Sequence, residues 1–362
     1  MREMLRIMIV CALVTIVVNA EPSAEKTPIT IPIVSVSYFP VKGMNIDREK
    51  TGDVGGTLND MRKKVSGMET AALKTLTDGT RYHGYKDKSA EPSLKYKVVK
   101  HYEFLEALPT VKKEGEKTPY TDYHAILKRI NAKDWVENKG VKEIWIWGYH
   151  GGVLVLWESN MASPYGDISN SNRDPDDLPI YNKTYTVYHY NYGRSANEAV
   201  HNHLHQIEHL INRIDGRHLT PHDQWTNLLF WGKFVGSDIS HKIIRPGAGW
   251  CHYPPNATSD YQYHSTNVVM SDIFDWKPDG SGTKTKISRD TWNDTELTWY
   301  LLWLQSIPGK DNGLKYNGKP LNNWWIFKGD WDAVMSNKIG LVKGEQSNYL
   351  TLSEGQPKKK KK

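Results

Sequence analysis

The sequence predicts an α/β layered domain with a largely parallel sheet, followed by a Trp-rich irregular half packed on it. Three observations predict this. Strand-like and helix-like segments alternate from about residue 28 to 216. Residues 195 to 216 write one amphipathic helix with an apolar side and a titratable side. Ten of the fourteen Trp fall after residue 217, among Pro, Gly and Asn, where periodicity is lost.

The elements follow in order. Ile29 to Phe39 alternates as a strand does, and a helical stretch from Leu58 to Thr77 stops at Asp78-Gly79. Leu94 to Phe104 is a second strand. Thr121 caps a helix carrying Tyr123, Ile126, Leu127 and Ile130 at helical spacing and ending at Gly140. Val141 to Trp147 reads as a buried strand and Thr184 to Tyr192 as another, which feeds straight into the helix from 195. Beyond 217 only Asp294 to Gln305 reads as a helix, ended by Pro308-Gly309, and no internal repeat is found.

The ends carry processing signals. Arg2 and Arg6, the apolar run Ile7 to Val18 and the small residue Ala20 are the three zones of a secretory signal peptide, so residues 1–20 are expected to be removed and the protein exported. That run is shorter than the ~20 residues a membrane helix needs, and no later stretch replaces it. With Cys11 gone, Cys251 is the single mature cysteine, so a core and not a disulfide must hold the fold; it is expected to be a buried thiol. Asn182, Asn256 and Asn293 open Asn-x-Ser/Thr sites, making a glycoprotein the expectation in a eukaryotic producer. The formal charge of +6 owes five units to Lys358–Lys362, in a tail from 346 to 362 expected to be solvated. No basic face for nucleic acid is left.

Chemistry concentrates on the helix. Glu198, His201, His205, Glu208 and His209 fall on one side of it, opposite Val200, Leu204, Ile207, Leu210, Ile211 and Ile214. Two zinc-type spellings overlap: His201 with His205 at i and i+4, and His205-Gln-Ile-Glu208-His209. Such spacing brings two imidazoles to one ion, with Glu208 or Glu198 as a third ligand. The competing reading is structural. Ser195 and Glu198 spell a capping box, Gly216 an end signal, and His203 on the apolar side a core histidine. Strand ends add His150-Gly151-Gly152 and Asn191-Tyr192-Gly193-Arg194, at the edge where parallel sheets collect ligands. Arg194 suits an oxyanion or a structural pairing with Glu158. A His-Gly strand end also suits a cysteine peptidase, but no Cys follows the next strand. The loop Asp167 to Asp177 is rich in oxygen ligands but lacks the pattern of a calcium loop.

Several segments together resemble a family of uncharacterised secreted proteins: Val141 to Gly148, Glu158-Ser159-Asn160-Met161-Ala162, Asn191 to Arg194, Glu198 with His205-Gln-Ile-Glu208, His252 to Asn256, Asp272 to Trp276, and Asn322-Asn323-Trp324-Trp325. The resemblance spans most of the mature chain and brings no activity with it. It implies a shared polar set of Glu158, Asn191, Arg194, Glu198, His205, Glu208 and His252. It also implies Glu at the position of His201 and a small residue at that of His209, which argues against the zinc spellings, and it leaves His150 outside the pattern.

Two functions are therefore expected. The first is a secreted hydrolase that uses either a metal, zinc by its ligands, on His201, His205 and Glu208, or a His/Glu acid-base pair, with Glu158, Arg194, Glu198 and His252 as catalytic groups. The second is a non-catalytic extracellular protein whose outward Trp and Tyr hold a glycan or a protein. The partner in either case is a small molecule, glycan or peptide. Trp packed over the helix would favour the first, and Trp in an outward row the second.

Overall fold

The structure, a computed structural model, describes residues 28–348 apart from Asp53, Asp167, residues 169–176, Ile239, His241 and Arg245. The signal segment, most of the tail and most of the Asp-rich loop lie outside the described residues.

Five strands form one sheet: β1 (Ile29–Tyr38), β2 (Leu94–Phe104), β3 (Glu143–Gly148), β4 (Ser159–Ala162) and β5 (Tyr185–Asn191), in the order β2-β1-β3-β5-β4. All pairings are parallel except β4 with β5. Every residue of β3 is buried, as expected of a central strand covered on both faces. Edge strand β2 exposes Lys95 and Lys97 beside buried Leu94 and Tyr96, so charge guards the open edge. The short β4 had no alternating pattern to announce it.

Helix α1 (Leu58–Gly79) starts at Thr57, whose side chain accepts the Asp60 N–H. The predicted single helix from Thr121 is in fact two, α2 (Tyr123–Arg129) and α3 (Ala132–Glu137), because Asn131 between them takes φ 52° in the left-handed region. Its cap is Asp122 and not Thr121: the Asp122 side chain accepts the Ala125 N–H.

Helix α4 (Ala196–Ile214) lies between the sheet and the Trp-rich half, and fourteen of its nineteen residues are buried. Its Val200, Leu204, Ile207 and Ile211 enter the core, each burial contributing about 1.5–3 kcal/mol. His203 is the core histidine expected: fully buried, stacked 3.7 Å from the Tyr188 ring, with Nε2 bonded to the Tyr190 hydroxyl at 2.8 Å. The capping box does not form. Ser195 makes no capping bond, and the Glu198 side chain pairs with Arg194 at 2.8 Å. Gly216 does end the helix in the left-handed region.

The second half holds more helix than periodicity showed. A π-helix at Leu229–Val235 starts on the buried carboxylate of Asp215, which accepts the N–H groups of Leu229, Phe230 and Trp231 at 3.0–3.1 Å. Then come α5 (Glu296–Ser306), α6 (Ile326–Gly329) and α7 (Trp331–Asn337). None of the fourteen Trp is among the exposed large hydrophobics; Tyr261 is the one exposed aromatic there. The outward Trp row that a binding protein would present is not found among the described residues. No helix among them is long and apolar enough to cross a membrane. Asn256 is corrected as a glycan acceptor: it is buried, and its amide donates to the carbonyls of Ser265 and Asn267 at 2.9 Å each.

Candidate metal centre

The polar side of α4 meets a loop from the second half. Trp250 and Tyr253 exchange backbone hydrogen bonds at 3.0–3.1 Å, so Cys251 and His252 form the tip of a tight turn. Three groups hold that turn. Glu208 Oε1 accepts the Cys251 N–H at 2.8 Å, Trp299 Nε1 donates to the Cys251 carbonyl at 3.0 Å, and Trp303 Nε1 donates to that of Gly249 at 2.9 Å. Gly249 has φ +72°, and a Cβ there would stand 2.4 Å from the Tyr253 carbonyl oxygen, so the turn needs glycine.

The result is a triangle of imidazole nitrogens. Nε2 of His201 lies 2.8 Å from Nε2 of His205 and 2.9 Å from Nε2 of His252, and the last two are 3.0 Å apart. Each opposite nitrogen faces an oxygen. Nδ1 of His252 is 2.9 Å from Asp260 Oδ1, that of His201 is 3.2 Å from the Tyr300 hydroxyl, and that of His205 is 3.5 Å from Glu208 Oε2. Tyr300 in turn donates to Glu296, and Tyr263 lies 3.1 Å from the Tyr300 hydroxyl. These acceptors place the protons on Nδ1 and leave three Nε2 lone pairs aimed together, the arrangement in which outer carboxylates orient metal-binding histidines.

Charge supports the same assignment for His201 and His252. Burial, then His205 and the other neighbouring imidazole, depress the pKa of His201 to about 2, and burial with His205 takes that of His252 to about 3. Both are neutral at pH 7. Burial also opposes a charge on His205, but the hydrogen bond and charge of Glu208, with Glu158 and Asp260, outweigh it and raise its pKa.

His201, His205, Cys251 and His252 offer ligand atoms within 4.8 Å of one another, a group able to hold a metal. The thiol stands apart within it. Cys251 Sγ is 3.5 Å from His205 Nδ1, on the far side of that ring from Nε2, and 3.3 Å from Glu208 Oε2. Burial and Glu208 raise its pKa well above the ordinary value, so the thiol keeps its proton. The residues fit an ion of the zinc type: a tetrahedral site with bonds of ~2.0–2.1 Å sets nitrogens about 3.3–3.4 Å apart. An outward shift of a few tenths of an ångström by each ring meets that.

The other expected residues divide between two places. Glu208 stands behind His205, bonded to the Cys251 turn. Glu158, Arg194 and Glu198 line a cavity of about 270 Å³ at the carboxyl end of the sheet, with His150, His189 and Asn202. Arg194 pairs with Glu198 and not with Glu158. His209 shares a second cavity with His205 and His252. Sequence reasoning missed Asp260, Tyr300 and Glu296. For Tyr300 and Glu296 a signal existed, since i and i+4 put both on one side of α5; for Asp260, in a loop, there was none.

No protein-family model matches this chain, and no curated protein does. Among solved structures, metalloproteinase-II from Bacteroides fragilis shows a partial likeness at 10% identity and a TM-score of 0.21, over 49% of this chain and 44% of that one. The chain thus spans less than half of that protein, and at this score the likeness carries no argument.

Proposed function

We propose that this protein is a metal-dependent hydrolase whose ion is held by Nε2 of His201, His205 and His252. The single observation that carries the reading is the triangle of three Nε2 atoms at 2.8–3.0 Å, each ring oriented through Nδ1 by an oxygen. Three nitrogen donors with one position left open mark catalytic and not structural zinc, and zinc is the ion this donor set suits best. When bound, the ion supplies Lewis acidity toward a carbonyl or a water.

The remaining steps belong to side chains. Glu158 is assigned the proton from water; its charge contributes to the raised pKa of both His205 and Tyr261. Tyr261 lies with its ring 4.0 Å from that of His252; burial and Asp260 push its pKa up to about 12, so it keeps its proton and can donate to an oxyanion. Arg194, tied to Glu198, lines the same cavity as Glu158 and is assigned to steady negative charge that develops on the reacting group. Export is part of this reading and rests on the pattern of residues 1–20.

Metal analysis of the purified chain, after zinc loading and dialysis, tests the reading. A stoichiometric ion is expected, lost in His205→Ala and in His252→Ala. Hydrolysis of activated esters and amides should vanish in Glu158→Gln while the ion stays. A folded wild-type chain that retains no zinc, cobalt or copper overturns the proposal.

A further inference from the structure

A guanidinium beside the histidines has no carboxylate of its own. Arg217 follows Gly216 at the turn that ends α4. Its guanidinium carbon lies 4.2 Å from the ring centre of Trp231 and 5.1 Å from that of Trp225, and among the described residues its side chain forms no ion pair and no hydrogen bond. The nearest acids have other duties. Glu208 serves the Cys251 turn and His205, and Asp215 holds the three N–H groups that start the π-helix. A guanidinium packed on an indole face keeps its in-plane donors for a planar acceptor.

Arg217 lines one cavity together with His205, His252, Asn212 and Trp250. Asn212 is buried, and its side-chain oxygen has no hydrogen-bond partner. One open set of donors and one open acceptor therefore share a space bordered by tryptophan and by two of the three clustered histidines.

We propose that this cavity is the substrate subsite of the metal centre, with Arg217 binding a free carboxylate and Asn212 accepting an adjacent N–H. The inference rests on the hydrolase reading above and names its substrate class: an N-acyl amino acid or the carboxyl end of a peptide, with an apolar or aromatic body. One arginine among Glu208, Asp215 and Asp260 favours a single negative charge and disfavours a dianion such as phosphate. Hydrolysis adds water across the amide C–N bond: the water oxygen goes to the acyl carbon and a proton to the departing amine.

Calorimetric titration with hippurate, its uncharged amide and phenyl phosphate tests the subsite, on the full chain both as zinc-loaded and as chelator-treated protein. Hippurate is expected to bind at least about tenfold more tightly than the uncharged amide in both forms, and phenyl phosphate less tightly than hippurate. Arg217→Gln should abolish that preference with zinc content unchanged, and Arg217→Lys should keep part of it. Equal affinity for hippurate and its amide in the wild type, or a preference that survives in folded Arg217→Gln, overturns the proposal. Should Arg217→Gln fail to fold, the wild-type comparison and Arg217→Lys still decide. Zinc content separates the two readings: a chain without zinc that keeps the hippurate preference has lost the metal proposal and not this one.

Discussion

Tyr300→Phe removes one oxygen and should weaken metal binding without touching a ligand. The Tyr300 hydroxyl is 3.2 Å from His201 Nδ1 and donates its own proton to Glu296. It can therefore only accept from His201, which fixes the proton on Nδ1 and the lone pair on Nε2. In the variant the metal-free chain has an escape: the proton moves to Nε2 and bonds to His205 or His252, 2.8 and 2.9 Å away. The loaded chain has none, and must keep a buried Nδ1–H without a partner at a cost of about 1–3 kcal/mol. That difference is the loss of affinity, about 10- to 100-fold, the range known for outer partners of metal-binding histidines. Competition for zinc against a chromophoric chelator measures it, with circular dichroism to show that the variant folds. Tyr263→Phe, which leaves the Tyr300 oxygen in place, is the control and should lose much less. A folded Tyr300→Phe chain that competes for zinc as well as wild type refutes the orienting role and the tautomer argument with it.

Chelation should destabilise the fold. At zinc one hundred times above its Kd, bound metal adds about 2.7 kcal/mol, and its removal should lower Tm by a few degrees in wild type and leave His252→Ala unmoved. Acid should act through His189, which is fully buried, with a pKa lowered by burial and by His150 to about 3. Below the unfolded value of about 6.5 the unfolded chain takes up a proton that the folded chain refuses, so urea melts should show stability falling by up to about 1.4 kcal/mol per pH unit from this group as pH drops toward 4. Asp215→Ala leaves three N–H groups at the start of the π-helix without their acceptor and should cost about 3 kcal/mol or more, read as a fall in Tm; an unchanged Tm would show that water replaces the carboxylate.

The fold was legible where side chains repeat with a period. Alternation located β1 and β2, and the 3.6-residue repeat located α1, α4 and α5 within two residues of their ends. Periodicity also marked which side of α4 enters the core, through Val200, Leu204 and Ile207. It could not show what covers the other side, because the covering segment, from Trp250 to Tyr263, is a loop whose path depends on Glu208, Trp299 and Trp303. His201 and His205 were therefore readable as a pair from four-residue spacing, whereas bringing His252 to them means closing a chain separation of 47 residues by tertiary contact. The expected third ligand, Glu208, shares their side of the helix and sits instead behind His205. A helix face says which groups are neighbours; it does not say which of their atoms point inward.

Position separates this site from the usual place of ligands in a parallel sheet. The carboxyl ends of the strands do frame a cavity, through Glu158, Arg194 and Glu198. The histidine triangle, however, stands on the side of α4 turned toward the Trp-rich half. The two are joined by the helix itself. Asn202 donates to the carbonyls of Glu158 and His189 at the strand ends, while His201 and His205, beside it and one turn on, meet the Cys251–His252 turn. The sheet therefore sets the helix, the helix sets two of the clustered histidines, and the second half supplies the third. In the proposed centre a metal held by both halves would stabilise their packing as well as the site, and the buried tryptophans of α5 would serve it: Trp299 and Trp303 donate to the carbonyls of Cys251 and Gly249 in the turn that presents His252, so loosening either is expected to spread the triangle before it disturbs the sheet.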